Sequence, residues 1–187
     1  MRVNELRAVL APPTPENIPK GDRSISSVLI PVGWNKETQR EEILLTKRTQ
    51  WVETHKGQIS FPGGFWEPHD RNLLDTALRE AEEEIGTKPS DIEILGTLQP
   101  VLTRGNILIH PWVARLEFPY AFSINSAEVA QLLFLPIEVL VSEGLKPVDV
   151  SVGEHSVASV GIYVDGELVW GATARLLEQL IDRLRSL

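Results

Sequence analysis

Three glutamates, Glu80, Glu83 and Glu84, recur at i, i+3 and i+4 in the run Arg79-Glu80-Ala81-Glu82-Glu83-Glu84-Ile85-Gly86. On a helix that spacing gathers them on one face. Like charges so placed weaken an isolated helix by roughly 0.2–0.5 kcal/mol per pair. A divalent cation would turn the cost into a gain, because hard ions take carboxylate oxygen and Mg²⁺ often combines one or two carboxylates with substrate phosphates. Just upstream stands a glycine turn with a spaced acid, Gly63-Gly64-Phe65-Trp66-Glu67-Pro68-His69-Asp70. Glycine permits positive φ and close backbone approach, enough to bend the chain into the acidic helix and aim a carbonyl at a metal. Taken separately, the same residues also fit a plain turn and a solvated acidic face. A second face of the helix, Leu74, Ala77, Leu78, Ala81 and Ile85, is apolar and calls for a core to pack on.

Together these residues resemble the Nudix box: a glycine, five residues, an acid, a spacer, then Arg-Glu-aliphatic-x-Glu-Glu-x-Gly. Gly64 is followed by five residues and Asp70, and Arg79-Glu80-Ala81, Glu83-Glu84 and Gly86 match position for position. Three departures stand out. Asp70 replaces the usual Glu, the spacer before Arg79 is one residue longer, and Thr87 replaces a closing aliphatic. A narrower likeness precedes the box. Leu44-Leu45-Thr46-Lys47-Arg48, followed by Gly57-Gln58-Ile59-Ser60-Phe61-Pro62-Gly63-Gly64, looks like the signature of the coenzyme A pyrophosphatase branch, which accommodates the Asp and the longer spacer. Thr49 stands there for Ser or Ala, and Glu53 for a base, an unfavourable exchange beside an anionic ligand.

The resemblance implies an α/β/α sandwich with a mixed sheet, of α+β type, and the acidic helix packed on it. It implies Mg²⁺ or Mn²⁺ at Glu80, Glu83 and Glu84, with Gly64 contributing a carbonyl and Asp70 either a ligand or a brace for its loop. Arg79 would orient a glutamate through a salt bridge, its fork suiting that task. Glu83, Glu84 and Glu128 are each candidates for general base; the alternative for Glu128, after Asn125-Ser126, is a helix-start acid. Arg48, Gln58, His55 and Gly63 are the substrate-binding candidates. Trp51, Trp66, Trp112 and Phe122 could stack on a base, with core packing as the competing fate, and Trp66 is the one expected to be exposed. The implied reaction is metal-dependent hydrolysis of a phosphoanhydride in a nucleoside diphosphate derivative. Coenzyme A or its acyl thioesters lead, giving 3′,5′-ADP and 4′-phosphopantetheine or its acyl form. ADP-ribose or a nucleoside diphosphate sugar is the rival, and a catalytically inactive nucleotide-binding regulator the alternative of another class.

Composition agrees with such a protein. The 187 residues suit one domain, 1–187, with residues 1–22 as an N-terminal helix and arm. A net charge of −8 opposes a broad nucleic-acid surface, which needs clustered cations. It leaves a small phosphate ligand open, since bound metal reverses the local charge. With no cysteine there is no disulfide framework, thiolate metal site or cysteine nucleophile. No apolar run reaches the ~18 residues of a membrane span, and Met1 to Arg7 lacks a signal-peptide core. The expectation is a cytoplasmic protein whose partner is a small nucleotide, with neither nucleic acid nor membrane, and with a homodimer left open.

Patterning supplies the scaffold. Residues 2–10 read as a short helix ended by Ala11-Pro12-Pro13. Ser26 to Val32 and Glu42 to Thr46 read as strands joined by a turn at Asn35 to Arg40. Gly86, with Pro89 beyond, stops the acidic helix. Strands are expected at Ile92–Leu98, Ile107–Phe118 and Val157–Val164, with Asp165-Gly166 turning the last into Glu167–Trp170. Val129 to Phe134 is short and apolar, Pro136 to Leu140 suggests a small helix, and Ala172 to Leu187 a closing amphipathic one.

Overall fold

The structure, a computed structural model, describes residues 2–13, 24–51, 56–153 and 155–187. His55, Glu53 and the expected arm from residue 14 to 22 lie outside the described residues. In chain order the elements are α1 (Arg2–Glu5), continued by a 3₁₀ turn Leu6–Ala8, then β1 (Ser24–Asn35), β2 (Arg40–Arg48), β3 (Ile59–Ser60) and β4 (Gly63–Phe65). α2 (Leu73–Ile85), β5 (Glu93–Thr97), β6 (Val101–Leu102), β7 (Ile107–Arg115) and β8 (Val129–Pro136) follow. The chain closes with α3 (Ile137–Glu143), β9 (Lys146–Val152), β10 (His155–Val164), β11 (Glu167–Trp170) and α4 (Gly171–Arg185).

β1 is the axis of a mixed sheet. One edge runs parallel to β7 from Ser24–Ile107 to Val32–Arg115. The other edge is shared: β2 pairs with its end, Val32 to Asn35, and β4 with its beginning, Ser26 to Val28. β3 likewise pairs with the end of β2, at Thr46 and Lys47, while β8 lies along the opposite edge of β2. β1 and β2 therefore part after their hairpin, and the segment from Ile59 to Phe65 is wedged into the opening. The Leu29 amide N–H donates to the Pro62 carbonyl at 2.9 Å within the wedge.

Alternation along β1 divides the interior. Leu29 faces α2 with Leu73, Ala77, Ala81, Trp112 and Ala114. Val28, Ile30 and Val32 face the other layer, with Val3 and Leu6 at the N-terminus, Ile162 and Val169 of the second sheet, and Leu176, Leu177, Leu180, Ile181 and Leu184 of α4. Each such Leu or Ile contributes about 1.5–3 kcal/mol when fully buried. The result is helix–sheet–helix layering, with the three-stranded antiparallel sheet β11-β10-β9 added on the α4 side.

Several boundaries differ from the sequence reading. The first helix is a single α turn and a 3₁₀ turn. Leu73, absent from the expected stripe, is fully buried, whereas Leu74 and Leu78 are half-buried at its margin. Val129 to Pro136 is a strand. β9 was not anticipated: Pro147 interrupts its pattern and only Val150 is buried, because an outer strand needs just one anchoring face. Pro136 occupies the N-cap of α3, one position before the helix.

Candidate active site

α2 begins where the Asn72 side chain accepts the Asp75 N–H at 3.0 Å, and ends at Gly86 in the left-handed conformation, whose N–H reaches the Glu82 carbonyl. Its apolar stripe seats it on the sheet and sets Glu80 and Glu84 against the wedge, at Gly64 and Gly63.

Gly63 and Gly64 are required for different reasons. Gly63 has φ of 153°, and a Cβ there would lie 2.4 Å from the Ser27 carbonyl oxygen and 2.7 Å from Val28 Cα. A Cβ on Gly64 would lie 2.3 Å from the Glu80 carboxyl carbon. The first glycine lets the wedge enter the sheet; the second leaves room for a glutamate.

Glu84 is 2% exposed. The Gly63 N–H donates to its Oε2 at 3.1 Å, and Arg48 Nη1 approaches its Oε1 at 3.4 Å. Burial pushes its pKa up to about 8 against those two donors, and the charges of Glu80 and Glu128 push the same way. Glu80 is also raised, by burial first, with Arg79 opposing and Glu83 and Glu128 adding. Glu83 is the exposed member, its side chain 57% open to solvent.

Arg79 joins helix and loop. Its Nε and Nη2 bond Asp70 Oδ1 and Oδ2 at 2.9 and 3.0 Å, a two-pronged clamp. Nη1 donates to Glu80 at 2.9 Å and to Glu83 at 3.3 Å, and Nη2 also to the Phe65 carbonyl at 3.1 Å. Asp70 raises the Arg79 pKa further above its ordinary value, outweighing burial, and Glu80 contributes. Asp70 is buried, and burial alone would raise its pKa; the Arg79 fork, the Glu67 N–H and the Thr76 hydroxyl together hold it at about 2. With Arg79 on both oxygens and Oδ2 also taking Thr76 and Glu67, Asp70 has the contacts of a loop brace.

Glu128 is brought to the cluster from far along the chain. It sits in a turn before β8, not at a helix start as its neighbours suggested. Asn125 makes the turn: its Oδ1 accepts the Ala127 N–H at 3.1 Å, its Nδ2 donates to Glu128 Oε1 at 3.1 Å, and its own N–H donates to the Glu84 carbonyl at 2.9 Å. Thr49 clasps the same turn, its N–H on the Glu128 carbonyl and its hydroxyl on that of Ala127, both at 2.8 Å. The sequence reading missed Asn125, Thr49 and Thr76; the turn propensity of Asn125-Ser126 was the available signal.

Of the remaining candidates, Gln58 stands beside Arg48, whose N–H donates to the Gln58 carbonyl at 3.0 Å. Trp66 is half-buried with its indole N–H on the Asp70 carbonyl at 3.2 Å, so it is not the exposed ring it was expected to be. Trp112 is core, its indole N–H on Ser27 Oγ at 3.0 Å, and Phe122 packs with Phe118, Tyr120 and Phe134. His69 is exposed in the loop, His110 buried and His155 exposed. Thr87, in the place of the usual aliphatic, is fully buried with no hydrogen-bond partner for Oγ1 among the described residues; its methyl fills the site and its hydroxyl carries a desolvation cost.

The donor set suits a hard divalent cation: carboxylates in mutual repulsion, one of them desolvated without a close full-strength ion pair. Among the described residues no three acidic or imidazole side chains converge on one point as they stand. The reason is visible, since Arg79 Nη1 holds Glu80 and Glu83 while Gly63 and Arg48 hold Glu84.

The NUDIX domain model matches residues 26–152, and the chain belongs to the Nudix hydrolase family. It is 32% identical over 184 residues to the uncharacterised Nudix hydrolase NudL of Photorhabdus laumondii, spanning 98% of this chain and 96% of that one. A NudL of Yersinia enterocolitica is 32% identical over 160 residues, 85% of this chain and 80% of that one. Among solved structures, the fold is shared with the NUDIX domain of Shewanella oneidensis NrtR complexed with ADP ribose, at TM-score 0.56 and 18% identity over 88% and 90% of the two chains. A MutT protein from Methanosarcina mazei is similar at TM-score 0.55 and 18% identity, over 90% and 100%.

Proposed function

We propose that this Nudix hydrolase cleaves the phosphoanhydride of coenzyme A or its acyl thioesters, releasing 3′,5′-ADP and 4′-phosphopantetheine or its acyl form, in the cytoplasm. The observation that carries the reading is that two positions of the upstream signature, Arg48 and Gly63, both meet the buried carboxylate of Glu84. These contacts support reading the signature and the acidic helix as parts of one site. Bound at Glu80, Glu83 and Glu84, Mg²⁺ or Mn²⁺ would neutralise phosphate oxygens and acidify a water. The protein's part is positioning and charge. Arg79 tethers Glu80 and Glu83 to the Asp70 brace, Gly64 leaves Glu80 its space, and Arg48 offers a cation to the diphosphate. Glu84 or Glu128, whose charges repel each other, takes the proton from the attacking water; Glu83, the exposed acid, is the third candidate.

A panel of coenzyme A, an acyl thioester, dephospho-coenzyme A, ADP-ribose and a nucleotide sugar, with products identified, tests the substrate. Coenzyme A should lead, and loss of the 3′-phosphate should lower kcat/KM by ~10-fold for each ~1.4 kcal/mol of charge-assisted contact removed. Preference for ADP-ribose would replace this reading with the broader nucleoside diphosphate one. The Glu84→Gln enzyme should lose ~10²-fold or more in kcat with its fold intact. A small loss there would shift the proton transfer to Glu128, and Glu128→Gln would then show the larger fall.

A further inference from the structure

Past Arg48 the site is bordered by a ring for which the fold has no use. Trp51 is 86% exposed, more than any other large hydrophobic residue among the described residues. Its backbone is nevertheless pinned. The Trp51 N–H donates to Thr49 Oγ1 at 3.3 Å, and that hydroxyl and the Thr49 N–H bond the Ala127 and Glu128 carbonyls. The strand end from Arg48 to Trp51 thus rests on the turn that presents Glu128 to Glu80 and Glu84. The rival rings are engaged elsewhere: Trp112 and Trp66 through their indole N–H groups, Phe122 in an aromatic cluster. Arg48 keeps a buried Nε with no hydrogen-bond partner among the described residues, while its Nη1 approaches Glu84. Trp51 stands three positions past Arg48, and the bend at residues 50 and 51 keeps it closer than the about 10 Å that three extended residues would span.

We infer that Trp51 is the stacking platform for the substrate's nucleobase, held beside the turn that carries Glu128. The inference rests on the reading of the site as a nucleotide diphosphatase and adds to it the residue that recognises the base. Stacking is tolerant of base identity because every base offers a π face. Trp51 would therefore fix where the nucleoside lies, while discrimination between coenzyme A and its rivals falls to the groups around the ribose and the second phosphate.

Two non-hydrolysable probes test it by titration calorimetry. AMP carries base, sugar and phosphate; ribose 5-phosphate lacks only the base. Trp51→Ala should weaken AMP binding about tenfold or more and leave ribose 5-phosphate unchanged, with Trp51→Phe recovering part of the loss. In turnover of a nucleotide substrate, KM should rise and kcat hold. Equal weakening of both probes, or no change in either, overturns the proposal. So does loss of AMP binding in Phe65→Ala but not in Trp51→Ala, since Phe65 is also an exposed aromatic, and its carbonyl meets Arg79. A wild-type protein that hydrolyses no nucleotide would defeat the proposed function while the AMP arm still decides the role of Trp51.

Discussion

The two adjacent glycines show how narrowly a residue's task can be defined. At Gly64 the added methyl meets only the far end of the Glu80 side chain, which can swing away. Gly64→Ala should therefore melt close to the wild type and lose turnover, because Glu80 is displaced from the place it would hold a metal. At Gly63 the methyl meets Ser27 and Val28 backbone at a φ that side chains rarely adopt. Gly63→Ala should cost about 1–3 kcal/mol in urea denaturation and lose activity with it. If Gly64→Ala proves the less stable of the two, the assignment of space to Glu80 is wrong. The sequence offered both glycines as a turn; the structure puts them in the short strand β4, against neighbours the sequence did not reveal. The contacts cross from β4 to β1 in one case and to α2 in the other, and only the packed sheet sets them at those distances. Arg79 was legible as an orienting cation; that its fork would close on Asp70, nine positions away, depended on the loop returning over the helix.

At the scale of elements, α2 was the most readable part, since an amphipathic period, a stop glycine and a proline beyond it all agreed. Its start was less so, because Asn72 is a cap only when its own backbone is extended, as it is here. Asn72→Ala should lower stability by about 0.5–2 kcal/mol, measured by chemical denaturation, while kcat changes little in the folded enzyme. A fall in kcat without loss of stability would mean that Asn72 serves the site rather than the helix. The β3–β4 wedge was not legible as strands at all. Its residues are few, two of them glycines, and they pair because β1 and β2 part and leave hydrogen-bonding edges unfilled.

The whole molecule sets the charge state of the site, and this can be read as stability against pH. In the metal-free protein Glu84 is raised from 4.5 to about 8. Between those values the folded form keeps a proton that the unfolded chain has released, so stability is greatest below the lower value and falls as pH rises toward the upper one. The wild type should lose melting temperature relative to Glu84→Gln between about pH 5 and pH 8. Mg²⁺ or Mn²⁺, competing with that proton, should raise the melting temperature more at the alkaline end, and a chelator should abolish both the rise and hydrolysis. Calorimetry across this range checks the sign; a difference that grows toward acid would refute it. Asp70 works in the opposite sense and in a lower window. Its stabilising contribution is present above 3.8 and is lost as pH falls through about 2.

The sequence by itself determined the acidic helix, its apolar seat and the cation that ends the second strand. These are local patterns, and helical period and turn chemistry act over a few residues. From them came the family, the layered fold and the likelihood of metal-assisted hydrolysis. Tertiary structure decided which acids meet. Glu128 reaches Glu84 through Asn125 and Thr49, and Thr49 lies 78 positions from the Ala127 carbonyl it bonds, a distance no spacing rule spans. It also sorted the aromatic residues, sending Trp112 to the core, tying Trp66 to its loop and leaving Trp51 in solvent. All of them are apolar rings in sequence. Burial is a property of what surrounds a side chain, and that is fixed only when β1, β2 and the wedge between them have closed around the site.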